Sequence, residues 1–170
     1  MKGSRMKKRM IWLLMFLALA NFSTPARAQA AEGDSAAVTA AVDQFYAALN
    51  TMFTGDAGPM KEVWSHADDV TYMGPAGGFQ NGWPEIEKVW DDTAALKLGG
   101  KVVPEKMEMR IGEDLAYTFN YEVGENFDQN GVRQQVSIRA TNIFRNENGQ
   151  WKMIGHHTDL LPYLEKNSGK

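Results

Sequence analysis

The chain contains no cysteine. Disulfides, a thiol nucleophile and a lipid-modified cysteine behind a leader are therefore excluded, and packing alone has to hold the fold together. Histidine is scarce as well: there are three, and two of them, His156 and His157, are adjacent. The sequence carries no nucleotide-binding motif, no metal-ligand set and no arrangement of a Ser or Cys nucleophile with its base, so no cofactor is called for. Basic residues are concentrated at the start. Residues 1–30 hold six Lys and Arg and no Asp or Glu, and the remainder holds 12 basic against 21 acidic side chains, a net charge of −9. Such a balance argues against nucleic acid and anionic membrane as partners, because phosphate recognition needs clustered cations.

The start has its own pattern. Lys2, Arg5, Lys7, Lys8 and Arg9 precede an apolar run over residues 10–20, and PARAQA follows at residues 25–30. A charged segment, an apolar segment and small residues at an A-x-A site are the layout of a secretory signal peptide. Cleavage is expected after Ala28 or Ala30. An uncleaved anchor is the competing reading, although eleven apolar residues are short for a bilayer. Residues 31–170 are then one domain, long enough for a core of its own. Export places it in a bacterial periplasm or the medium, with no membrane attachment after cleavage.

Periodicity supplies the elements. Val38, Val42, Phe45, Leu49 and Met52 recur at helical spacing, with Asp34 or Ser35 available as a cap and Gly55 as a stop. Pro59 opens a short second helix through about residue 66. Residues 70–73 read as a strand, and Pro84 opens a third helix whose inner face carries Ile86, Val89 and Trp90. Four strands follow, over residues 102–111, 115–123, 132–145 and 150–158, the last two joined by an Asn-Gly turn. In the second of these, Leu115, Tyr117, Phe119 and Tyr121 alternate with Ala116, Thr118, Asn120 and Glu122. The order α-α-β-α-β-β-β-β is an α+β pattern.

Three stretches carry a family likeness: residues 44–50 (QFYAALN), residues 64–72 (WSHADDVTY) and the closing hairpin, with RATNIFR at 139–145, then WKMI at 151–154 and His157. In this order they resemble the nuclear transport factor 2-like superfamily, which includes ketosteroid isomerases and SnoaL-like domains. The resemblance implies a cone-shaped barrel, a curved, mostly antiparallel sheet wrapped against three N-terminal helices, with a pocket inside. It also implies a homodimer formed through the outer sheet face.

The isomerase chemistry itself is not implied. Its helix tyrosine would fall on Phe45, its base on Gly74 and its second oxyanion donor near Thr141, and none of these carries the required group. Tyr46 adjoins Phe45, but one residue turns about 100° around a helix. Instead, the resemblance points to a pocket lined by Tyr72, Trp90, Arg139, Thr141 and His157. Its ligand would be a small, partly apolar organic molecule.

Strand neighbours face opposite ways, so His156 and His157 cannot share a pocket. Regular alternation puts His157 with Trp151, Met153 and Gly155, and likeness to SnoaL-like domains makes it the candidate general acid or base. A structural histidine bonded within the sheet is the other reading. His156 is then expected on the outer side. Arg139 either holds an anionic ligand in the pocket or forms a salt bridge on the exposed sheet face, or to Glu108 or Glu122. His66, Asp68 and Asp69, with His157 and Asp159, are legitimate metal ligands by type, but a turn-forming role suits the Ala-Asp-Asp segment better. Three functions stay open: a binding protein, an acid/base enzyme of isomerase, dehydratase or hydrolase type, and an assembly module with a vestigial pocket.

Overall fold

The computed structural model describes residues 25–165, with side chains from Asp34 onward. Residues 1–24 of the proposed leader lie outside the described residues, and its last six fall in the first helix. The first helix, α1, spans Pro25–Met52. It starts well before the expected cap at Asp34 or Ser35. Pro25 suits a first turn, and the alanine-rich segment behind it has high helix propensity, so the backbone passes through Asp34 without a break. Val38, Val42, Phe45 and Met52 are buried along its inner face. Gly55, at φ +109, then ends the helix with its N–H donated to Met52 O at 2.9 Å.

Helix α2 is Gly58–Val63, two strands β1 (Thr71–Met73) and β2 (Gln80–Asn81) follow, and α3 is Trp83–Leu96. Pro84 lies in the first turn of α3, and Trp83, Ile86, Trp90 and Ala94 are its buried side. The long strands are β3 (Lys101–Ile111), β4 (Leu115–Phe127), β5 (Arg133–Glu147) and β6 (Gln150–Thr158), and a short α4 (Pro162–Glu165) ends the described chain. The strands form one sheet in the order β2-β1-β6-β5-β4-β3. Only β1 against β6 is parallel; the other pairs are antiparallel. The fold is α+β, helices packed on one face of a curved sheet.

The β4–β5 register runs without interruption from Leu115↔Arg145 to Phe127↔Arg133. It fixes which side chains face the helices. Ala116, Thr118, Asn120 and Glu122 point inward beside Val136, Ile138, Ala140, Asn142 and Phe144, all buried. The large residues of β4 point out: Tyr117 is 40 % and Phe119 52 % exposed. Small and polar residues are the inner set of β4 because much of the aromatic bulk facing this strand comes from elsewhere, Phe45 and Tyr46 on α1, Trp90 on α3 and Tyr72 on β1 among it.

The pairing of β5 with β6 is interrupted. Ile143 opposes Gly155 and Phe144 opposes Met153, which leaves Ile154 as an extra residue on β6. A bulge of one residue reverses the inside–outside phase of everything after it. Trp151 and Met153 are inward before the bulge, and His156 is inward after it.

Candidate functional site

A cavity of about 350 Å3 lies between the helices and the inner face of the sheet. Its walls are mostly apolar, with Phe45 and Leu49 from α1, Trp90 from α3 and Tyr72 from β1. Tyr72 and Trp90 meet edge to face with centroids 4.6 Å apart, and Trp64 packs behind Trp90 at 5.6 Å. Residues of the β1–β2 loop, together with Leu161 and Leu164, close one end. A backbone bond from Leu161 N to Pro75 O, 2.8 Å, ties the chain end to that loop. Gly74 is required here: a Cβ on it would lie 1.8 Å from the Tyr72 hydroxyl oxygen. The Tyr72 ring thus fills the space a side chain at 74 would need.

Opposite the apolar wall is a buried polar cluster. The Tyr46 hydroxyl donates to Glu122 Oε1 (3.3 Å) and accepts from Asn120 Nδ2 (2.8 Å). Asn142 Nδ2 donates to Thr118 Oγ1 (2.9 Å), which turns Asn142 Oδ1 toward His156 Nδ1 at 2.6 Å. Nδ1 therefore carries the hydrogen in the neutral ring, and Nε2 presents its lone pair. Nε2 lies 3.8 Å from Glu122 Oε1, too far for a direct hydrogen bond. Both Glu122 and His156 line the cavity.

Electrostatics divides the pair. Burial pushes the Glu122 carboxyl up to about 7, with the Tyr46 hydrogen bond acting the other way as the smaller effect. Burial, with a smaller contribution from the charge of His157, pulls His156 down to about 3. Burial also raises the phenols of Tyr46 and Tyr72, helped in each case by the Glu122 charge. Near neutrality the site thus holds an unprotonated imidazole beside a carboxyl poised between its two forms, a combination suited to proton transfer or to a polar ligand group.

The five residues expected in one pocket are divided between two faces. Tyr72 and Trp90 line the inner cavity. Arg139, Thr141 and His157 line a separate groove on the outer face of the sheet, beside Phe119 and Tyr121. The expectation that His157 points inward is corrected by the bulge at Ile154: one extra residue exchanges the two histidines, and His156 enters the cavity. Arg139 faces out by regular alternation of β5. Its Nε and Nη2 donate to Asp159 Oδ2 and Oδ1 at 2.9 and 2.8 Å, so its partner is neither Glu108 nor Glu122. His157 Nε2 stands 3.5 Å from Thr71 Oγ1.

The residues considered for a metal are dispersed: His66 stacks on Trp83 with centroids 4.0 Å apart, and Asp69 accepts from Arg145 at 2.7 and 3.1 Å. Among the described residues no three His, Asp or Glu side chains converge as a metal site would require.

Tyr46, Asn120, Glu122 and Asn142 belong to the site although no motif marks them as such. A signal for them exists. Asn120, Glu122 and Asn142 alternate in phase with Ala116 and Ala140, and small residues on a strand face mark the crowded side. Phe45 and Tyr46, 100° apart on α1, are both inside, because the concave sheet embraces more than one narrow stripe of the helix.

Solved structures with this architecture include proteins named as nuclear transport factor 2-like. A candidate dehydratase of that family from Streptomyces avermitilis aligns with TM-score 0.66 at 21 % identity, over 76 % of this chain and 97 % of its own. A protein with a cystatin-like fold from Novosphingobium aromaticivorans gives 0.65 at 16 % identity, over 84 % and 92 %. A candidate calcium/calmodulin-dependent protein kinase II association domain from Thiobacillus denitrificans gives 0.61 at 24 %, over 72 % and 94 %. These likenesses establish the fold. More narrowly, residues 38–161 match the SnoaL-like domain, and the chain belongs to that family. No curated protein is similar to it.

Proposed function

We propose that this SnoaL-like domain binds a small, largely apolar organic molecule in the conical cavity, with one polar group directed at Glu122 and His156. The observation that carries the reading is the space of about 350 Å3 whose largely apolar walls meet a patch of buried polar side chains. Binding pockets have this size and this lopsided polarity. A vestigial pocket in an assembly module would be better filled, and nothing in such a role requires a buried carboxylate.

Catalysis is the second reading, favoured by one distance. The 3.8 Å gap between His156 Nε2 and Glu122 Oε1 leaves a position from which a bound hydroxyl or carbonyl could exchange a proton with either group. The candidate dehydratase with the same fold fits this reading. The groups concerned are His156 and Glu122 rather than His157.

The protomer is proposed to pair through the outer sheet face, where the exposed rings of Tyr117 and Phe119 meet at a tilt of 58° with centroids 5.3 Å apart. Export to the periplasm or medium rests on the pattern of residues 1–30. No helix among the described residues is long and apolar enough to cross a membrane.

Mass spectrometry of small molecules that co-purify with the native protein tests the main reading, with thermal shifts of wild type, Trp90→Leu and Glu122→Gln measured alongside. A retained molecule that stabilises wild type and not the variants supports it. Equal stabilisation of all three sinks it.

A further inference from the structure

Around Glu122 the cavity offers acceptors and a negative charge without a cation; the uncommitted donors on its wall are neutral ones, the buried Trp90 Nε1–H and the Tyr72 hydroxyl among them. Glu122, 4 % exposed, accepts one hydrogen bond, on Oε1. Its Oε2 accepts none from any described residue. His156 offers the lone pair of Nε2, since Nδ1 is engaged by Asn142. The Tyr72 hydroxyl makes no hydrogen bond with a described residue, and its ring lies nearly parallel to that of His156 at 5.8 Å. The side-chain donors of the cluster are already committed. Asn120 Nδ2 serves Tyr46 Oη and Tyr121 O, and Asn142 Nδ2 serves Thr118, Tyr46 and Asn120. No Lys or Arg is found among the described residues that line the cavity. The other lining carboxylate, Asp92, is exposed and paired with Lys88. Glu122 is thus a buried acid without a cation, in a wall of aromatic rings, with acceptors left over.

Resting on the binding reading above, we propose that the polar group this cavity takes is a protonated amine, so that its ligand is a small organic cation with an apolar body. An ammonium brings three N–H donors and no acceptor, matching Glu122 Oε2, His156 Nε2 and the Tyr72 oxygen. It supplies the charge the carboxylate lacks, and a cation beside the faces of Tyr72 and Phe45 gains from their ring quadrupoles. An alcohol of the same shape has one donor and no charge. A carboxylate would face Glu122 with like charge and find no cation to meet it.

The test uses three probes of matched size, 2-phenylethylamine, 2-phenylethanol and 3-phenylpropanoate, titrated calorimetrically into the full chain at about pH 8. Charge-assisted hydrogen bonds to a buried partner predict that the amine binds about tenfold to a hundredfold more tightly than the alcohol. The anion should bind most weakly. Glu122→Gln, close to isosteric, should abolish the amine's advantage while leaving the alcohol's affinity within about threefold. Asp92→Asn should leave the preference unchanged. The titratable groups facing Glu122 are Tyr46 from α1, Tyr72 from β1 and His156 from β6. With both tyrosines raised and His156 lowered, Glu122 alone titrates near neutrality, so the amine's advantage should fade as pH falls through about 7. Equal or tighter binding of the alcohol overturns the amine assignment and leaves the pocket reading standing, as does an amine preference that survives Glu122→Gln. If none of the three probes binds wild type, both fall.

Discussion

Glu122→Gln is the sharpest perturbation of the polar cluster, because it removes one charge and little volume. Burial raises the carboxyl from 4.5 to about 7 in the folded protein, so ionising it there costs about 3 kcal/mol more than ionising it in the unfolded chain. The sign follows from the direction. Below about pH 4.5 the carboxyl is protonated in both states and the cost is absent. Between 4.5 and 7 the unfolded chain releases its proton first, and stability declines as pH rises. Above about 7 the full cost is present and the curve flattens. Glutamine has no such dependence, so the variant should gain on wild type steadily across this window. At pH 8 it should be more stable by about 2–3 kcal/mol, less whatever the Tyr46 hydrogen bond loses. His156 runs the opposite way: with its folded value pulled down to about 3, its contribution is present above about 6.5 and lost as pH falls. Being common to both proteins, it largely cancels in the difference. Urea unfolding followed by tryptophan fluorescence at pH 4, 5, 6, 7 and 8 measures that difference. A variant–wild-type difference that is flat with pH, or a wild type more stable than Glu122→Gln at pH 8, would refute the argument that Glu122 is a desolvated, uncompensated acid.

Other perturbations separate the two faces of the sheet. His157→Ala should leave ligand-induced thermal shifts unchanged, whereas His156→Ala should abolish them and, by opening a polar void beside Asn142, lower stability by about 1–3 kcal/mol in urea titrations. Gly74→Ala forces the Tyr72 ring out of its position, with an expected loss of about 1–3 kcal/mol. Tyr72→Val in the same chain should relieve most of that loss, and non-additivity in the double-mutant cycle is the readout. If protomers pair as proposed, wild type should sediment as a dimer and Phe119→Asp, on the outer face, as a monomer whose cavity still binds.

The architecture was legible because it depends on coarse signals. Helical spacing on α1 and α3, Pro84, Gly55 and the Asn-Gly turn at 148–149 each impose a local geometry that tertiary contacts do not overrule. The start of α1 was not legible, since a good cap at Asp34 is only an option when the preceding alanines can also be helical. The cavity wall was half legible: strand and helix phase put Tyr72 and Trp90 on inner faces, and the family resemblance put those faces in a pocket. The polar cluster was harder to see because β4 breaks the ordinary rule that its larger apolar face turns inward. The alternation of Tyr117, Phe119 and Tyr121 with Asn120 and Glu122 is plain, but its phase depends on how much of the interior the helices fill. The exchange of His156 for His157 was invisible to alternation, as a bulge adds a residue without changing any composition signal.

That single unpaired residue, Ile154, has a consequence for comparing this protein with its relatives. A sequence alignment matches β6 position by position from the Asn-Gly turn onward, whereas the two halves of the strand obey opposite parities. In a relative whose strand lacks the extra residue, the inward side chain equivalent to His156 stands where alignment places Gly155. A functional assignment carried across on sequence alone would then land one residue away, on the solvent side of the sheet. Superposing the strands in space, with one residue left unmatched at Ile154, brings His156 to the equivalent position.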